Sequence, residues 1–321
     1  MSRLIRKTVI LAKIETTSGV DAVPTGAANA IQAMDMSITP LDAKQIDTNI
    51  IYPWLGNSVS LVGSASVKCS FSVLLAGAGT AATAPAWGAL MLACGHAETT
   101  GLTAPARVEY LPATDALKTA TLYWYDDGLL HKLVGCFGSV KLSAKSGEAP
   151  KLTFDFVGLD AGVLATANAT AVLTGWKVPV GVTKANVTDI TLGCSYAAGA
   201  LTGGTVYNST GLTLDWGNQV NFVPMLTTEQ VVLSDRKVSG QISLELTSAQ
   251  EATQLAAVKA NTLTGLGFVL GNTTGNKIML YLPNVQLTSP KKEDNNGIRL
   301  IGFDLRAIPV AGNDEVRIVS L

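Results

Sequence analysis

Charge is scarce in this chain. Of its 321 residues only 15% are Asp, Glu, Lys or Arg, and 23 basic side chains nearly balance 24 acidic ones. A net charge of −1 offers no bulk attraction to nucleic acid or to an anionic membrane. So little charge on a chain that is 47% hydrophobic points to surface covered by other subunits. Histidine is nearly missing: His96 and His131 are the only two, and no His, Cys or Asp cluster has metal-ligand spacing. The four cysteines, Cys69, Cys94, Cys136 and Cys194, are scattered without a CxxC pair. They read as buried free thiols of a protein made in a reducing cytoplasm. No apolar run approaches the roughly 18 residues of a membrane helix. A secretory leader is not expected either, because Lys13 and Glu15 interrupt the short apolar stretch after Arg3, Arg6 and Lys7, and no small-x-small cleavage site follows.

Motifs that might carry chemistry are weak. Residues 77–82 fit GxGxxA between a strand and a helix, with Glu98 about 20 residues on, as a dinucleotide fingerprint would. No βαβ alternation follows, so the segment reads as a flexible strand-to-helix turn. His131 beside Asp126 and Asp127 reads as a hairpin-tip side chain, and His96 as a helix-end imidazole suited to the dipole. Asn168, Asn186, Asn208 and Asn272 begin N-x-Ser/Thr triplets that a Thr-rich sequence produces by chance. Tyr123, Trp124 and Tyr125 have few cations nearby, so they read as strand core and interface, not as a base-stacking platform. No enzyme, cofactor or metal site is expected.

What the sequence does contain is an echo of itself. The polarity pattern of residues 66–73 returns at 239–246, that of 132–142 at 277–287 without a gap, and Phe154-Asp155-Phe156 returns as Phe303-Asp304-Leu305. Order is kept, so the chain reads as two copies of one β-rich unit. The expected division is an N-terminal arm (1–33), a first copy (34–163), a linker or arm (164–204) and a second copy (205–321). Phe71 is expected to sit over Leu244, and Phe154 over Phe303. Each copy carries one short helix. Thr83 is the expected cap of the first, with Trp87, Leu90, Met91 and Cys94 as its apolar stripe; Ser248 to Glu251 supply a capping box for the second. Asp126-Asp127-Gly128 and Asn272 to Gly275 have the turn chemistry of hairpins. The first copy has some 20 extra residues near 98–116. The fold class is mainly β: two tandem sandwich or barrel domains, each with one short α-helix.

Residues 7–19 and 22–31, with the order arm, strand, long loop, strand, helix, hairpin, strand pair, resemble the tail tube proteins of long, flexible-tailed bacteriophages. The resemblance implies a structural virion protein that assembles in the bacterial host cytoplasm. Its rings of six tube domains stack into a hollow tube that conducts genomic DNA. Simple members carry one such domain, so two copies per chain imply a homotrimer imitating a hexamer, with a homohexamer as the alternative. Expected partners are the chain itself, a tape measure protein in the lumen, tail terminator and baseplate or tip proteins, and double-stranded DNA in transit without specific binding. No membrane partner is expected. Lys68, Ser70, Ser72, Gln241, Ser243 and Glu245 alternate with core residues and are the candidates for lining the lumen. Ile10, Ile14, Tyr52, Trp54 and Leu55, together with the 98–116 insertion, are the candidates for contacts between rings. The competing class is a β-rich adhesin or carbohydrate-binding module, which should show an export signal, paired cysteines or an aromatic platform.

Overall fold

Alternating polarity in long Thr-, Val- and Ser-rich segments becomes, in the computed structural model of residues 2–321, an almost entirely antiparallel β architecture. The N-terminal half runs β1 (Thr8–Ile14), α1 (Gly26–Asn29), β2 (Ala30–Ile31), β3 (Met34–Asp47), β4 (Ser60–Leu74), α2 (Gly88–Ala93), β5 (His96–Leu102), β6 (Arg107–Pro112), β7 (Ala120–Asp126), β8 (Leu129–Lys145) and β9 (Lys151–Ala165). The C-terminal half runs β10 (Val187–Ala197), β11 (Ala200–Tyr207), β12 (Ser209–Asp215), β13 (Gln219–Pro224), β14 (Glu229–Asp235), β15 (Ser239–Leu244), α3 (Ser248–Lys259), β16 (Leu263–Leu270), β17 (Ile278–Asn295), β18 (Ile298–Ala307) and β19 (Arg317–Ser320).

The pairings of the two halves run in parallel. In the first, β2–β1–β7–β8–β9–β4–β3 are neighbours in that order. In the second, β11–β10–β16–β17–β18–β15–β12 follow the same order. β1 is thus a strand of the sheet, paired along its whole length with β7, and its Ile10, Leu11 and Ala12 are buried. The short apolar stretch after Arg3, Arg6 and Lys7 is core, and the expected arm–domain boundary at 33/34 falls between strands of one fold. Likewise β10, inside the expected linker, and β11, which crosses its end at 204/205, stand to β16 as β1 and β2 stand to β7. Residues 168–176 of that linker lie on the N-terminal half, with Val172 N–H donating to Gly26 O at 2.9 Å and the Trp176 indole to Ala30 O at 2.9 Å, whereas Val178, Ala185 and Asn186 accept hydrogen bonds from the C-terminal half.

Phe71 pairs with Phe154, whereas Leu244 pairs with Ile301, and Phe303 pairs with Ile242. The expected matches of Phe71 with Leu244 and of Phe154 with Phe303 therefore differ by a slip of two residues. A slip of two keeps every side chain on its face, so polarity pattern alone cannot detect it. The first helix starts at Gly88, with Trp87 at its N-cap and no side-chain cap, instead of at Thr83. The buried Trp87 donates its indole N–H to Ala76 O at 2.8 Å, which holds the approach to the helix in an irregular turn. The second helix is capped one residue earlier than expected, by the reciprocal pair Thr247 and Gln250.

One core runs through both halves. Phe71, Phe154 and Phe156, whose ring centroids lie 5.9–6.0 Å apart, belong to the same buried cluster as Leu212, Leu214, Ile242 and Phe303. Among the described residues two strand pairings join the halves. β8 pairs with β12 over residues 141–145 and 215–211. The insertion forms β5 and β6, and β6 pairs with β19, which pairs in turn with β17. With Val108 and Tyr110 fully buried, β6 of this insertion braces the two halves, while residues 103–106 between β5 and β6 are exposed.

Candidate functional site

The β8–β12 seam makes one continuous sheet of eight strands, β3–β4–β9–β8–β12–β15–β18–β17. One face packs on the core. The other presents Ser37 and Thr39, Lys68 and Ser70, Thr153 and Asp155, Ser139 and Lys141, Thr213 and Asp215, then Gln241, Asp304 and Arg306. The period-2 alternation of each strand places these side chains there. Grooves along this face are lined jointly by both halves: Lys141 and Thr153 share one with Thr213, Asp215, Gln241, Thr288 and Asp304.

Several charges on the face are paired within it. Lys68 Nζ lies 2.5 Å from Asp42, Lys141 Nζ lies between Asp155 at 3.4 Å and Asp215 at 3.8 Å, and Lys151 meets Asp35 at 3.4 Å. Gln241 donates to Asp304 at 3.0 Å, and Ser243 to Glu293 at 2.6 Å. Exposed pairs like these add little stability. Their effect is to leave a wide surface that is polar and carries no basic stripe.

Of the six residues expected on this face, Lys68, Ser70, Gln241, Ser243 and Glu245 are exposed or half-buried there. Ser72 shares the face but is only 2% exposed, its hydroxyl 2.9 Å from that of Thr153. Of the expected contact residues, Tyr52, Trp54 and Leu55 are exposed at the tip of the β3–β4 hairpin, where the Tyr52 and Trp54 rings stack 5.4 Å apart. Ile10 is withdrawn as a contact residue: at 2% exposure it is core, because β1 lies between β2 and β7. Ile14, half-buried, packs against the same core.

The sheet ends at two open edges. Among the described residues β3 pairs only with β4, and β17 beyond Leu287 pairs only with β18. An unpaired edge is a template for another strand.

Chemistry is not organised anywhere comparable. The glycines of the 77–82 segment serve packing: a Cβ on Gly77 would lie 2.2 Å from Gly275 O, and Gly79 N–H donates to that carbonyl at 2.7 Å. His96 is buried with Nδ1 facing the carbonyls of Met91 and Cys94, both at 3.1 Å, and burial, assisted by the charge of Arg236, pushes its imidazole down to about 3. All four cysteines are free and buried, and burial pushes the Cys69 thiol up to about 12. Among the described residues no group of acidic, His and Cys side chains is arranged to hold a metal.

Two buried polar clusters escaped the sequence reading. Glu15 accepts from Gly19 N–H and Gly135 N–H at 2.8 Å and from the Thr119 and Thr121 hydroxyls at 2.6 and 2.8 Å. Glu109 binds Arg107 at 2.6 Å and also holds Tyr196 and Arg317 of the other half. Burial pushes the Glu109 carboxyl up, but these donors outweigh it and hold it below its usual range. A lone Glu amid apolar strand residues was the only signal for either.

A sequence profile of the phage tail tube proteins matches residues 5–317, nearly the whole chain. The chain belongs to the phage tail tube protein family. No curated protein matches it. As a tail tube protein it is a structural component of the phage virion. Its mainly β fold fits that role, and none of its described helices is long and apolar enough to cross a membrane.

Proposed function

We propose that this tail tube protein carries two fused copies of the tube domain and that three chains close into a pseudo-hexameric ring. The observation that carries the reading is the β8–β12 seam, where the last inner strand of one half adds to the open edge of the other. β3 is to the first half what β12 is to the second, and β17 corresponds to β8. The same antiparallel addition between β3 of one chain and β17 of the next removes both open edges, and a heterologous contact of this kind closes into a ring. Fusion places the second domain beside the first at high effective concentration, so fewer association steps remain.

In this reading the polar, charge-matched face lines the lumen and rings stack into the tube of a long, flexible tail. A tape measure protein fills the tube during assembly in the host cytoplasm, terminator and baseplate or tip proteins close its ends, and genomic DNA passes through at ejection. Duplex DNA carries one charge per about 1.7 Å, so a basic lining would retain it, and a lining with internally paired charges lets it pass. The test is the number of chains per ring in purified assemblies, from native mass measurement and class-averaged electron micrographs. Three is expected, with the two halves alternating around the axis; six would sink the fused-domain reading.

A further inference from the structure

The two halves differ in what lies between their corresponding inner strands. Between β12 and β15 the chain folds back as the β13–β14 ribbon, which lies against β8 and β9 and reaches the residues just after α2. There Trp216 is fully buried with its ring 5.9 Å from that of His96, and Asn218 donates to Cys94 O at 2.8 Å and Gly138 O at 2.9 Å. Leu233 lies against Gly95. α2 itself buries Gly88, Leu90, Met91 and Ala93, packed against β1, β5 and β8, and the ribbon covers the residues that follow it.

The C-terminal half has no such cover. α3 buries none of its twelve residues, Leu255 and Val258 stay half-buried, and Leu263 just beyond is 43% exposed. The corresponding segment of the N-terminal half, between β3 and β4, does not fold back. It projects as a hairpin arm with Ile46 at 48%, Ile51 at 96%, Trp54 at 66%, Leu55 at 103% and Val62 at 60% exposure. The Tyr52–Trp54 stack and the hydrogen bond from the Thr48 hydroxyl to Val59 O at 2.6 Å order its tip. An ordered tip presenting this much apolar surface marks an interaction site.

We propose that the partner is a second copy of this chain: the arm of one chain lies across the α3 end of its neighbour in the same ring, covering it as β13–β14 covers the α2 end within the chain. This rests on the ring reading above, because adding β3 to the neighbour's β17 delivers the arm to that place. β12 on β8 delivers β13 to Gly138 and Ser139 in the same way. The occupant is fixed by continuity with the intrachain seam.

The test uses the full chain with a benzophenone amino acid in place of Leu55, irradiated in assembled particles whose rings are counted by microscopy. The expected result is a cross-link between two chains that maps to residues 251–263. A cross-link within one chain, or to another region of a chain in the adjacent ring, overturns the proposal while leaving the ring reading intact. Absence of rings from the unmodified protein overturns both. A second variant, Trp54→Ser with Leu55→Ser, changes only exposed positions and is expected to fold with an unchanged Tm yet to lower the fraction of chains in rings at least tenfold. Rings that form normally but fail to stack would assign the arm to axial contacts and overturn the proposal.

Discussion

Glu15 is 7% exposed and accepts four hydrogen bonds, from two threonine hydroxyls of the β7 region and from the N–H groups of Gly19 and Gly135. Truncation leaves several buried donors unpaired, each costing about 1–3 kcal/mol. Glu15→Ala is therefore expected to destabilise the subunit by about 3 kcal/mol or more in urea unfolding. A cost below about 1 kcal/mol would mean that water reaches the site. His96 makes a titration prediction. Its folded pKa is about 3, while the unfolded chain takes up this proton near pH 6.5. The folded-state value is depressed, so the contribution is fully present above pH 6.5 and is lost as the pH falls toward 3. At about 1.4 kcal/mol per pH unit, going from pH 7 to pH 5 costs about 2 kcal/mol through this residue. His96→Asn, which cannot titrate, is expected to flatten the stability profile over that window. An unchanged slope would assign the acid lability to other groups.

The helices show local and tertiary control side by side. α3 is capped reciprocally by Thr247 and Gln250, a signal readable from the sequence because its donors and acceptors lie within four residues. Thr247→Ala is expected to cost about 1 kcal/mol, measured by thermal or urea unfolding. If the helix frays locally without lowering global stability, hydrogen exchange in 248–252 will report it instead. α2 has no side-chain cap and is only six residues long, and burial of its apolar residues stabilises it. Its start moved from Thr83 to Gly88 because the Trp87 indole is claimed by Ala76, an interaction outside the helix. The hairpin turns were legible for a local reason too: Asp127 and Gly128 both adopt positive φ, which a two-residue hairpin turn requires.

At the scale of the molecule, the polar face is a prediction about inside and outside. Gln241 is exposed in the isolated chain and all four native thiols are buried, so Gln241→Cys introduces one reactive cysteine against a quiet background. A bulky polyethylene glycol maleimide is expected to label it in free subunits and to fail in assembled tubes. Equal labelling in tubes would place this face on the outside. The clamp of Glu109 with Arg107, Tyr196 and Arg317, the β6–β19 pairing and the shared core bind the halves to each other and leave two open sheet edges.

The sequence by itself determined which face of most strands is apolar and which is polar, because strand alternation and turn chemistry act over a few residues. It also carried the order of elements and the repetition of pattern between the halves. Only the tertiary structure decided what those patterns pair with. The two-residue slip at Phe303, the place of β1 in the sheet, the 98–116 insertion as a brace to β19, and the opposite fates of the β3–β4 arm and the β13–β14 ribbon all depend on packing and partners distant in the sequence. A period-2 pattern is unchanged when a strand slips by two or changes neighbour, so such choices leave no local trace. They are made by the shape of the core, by backbone groups that must find partners, and by which edges remain for a second chain.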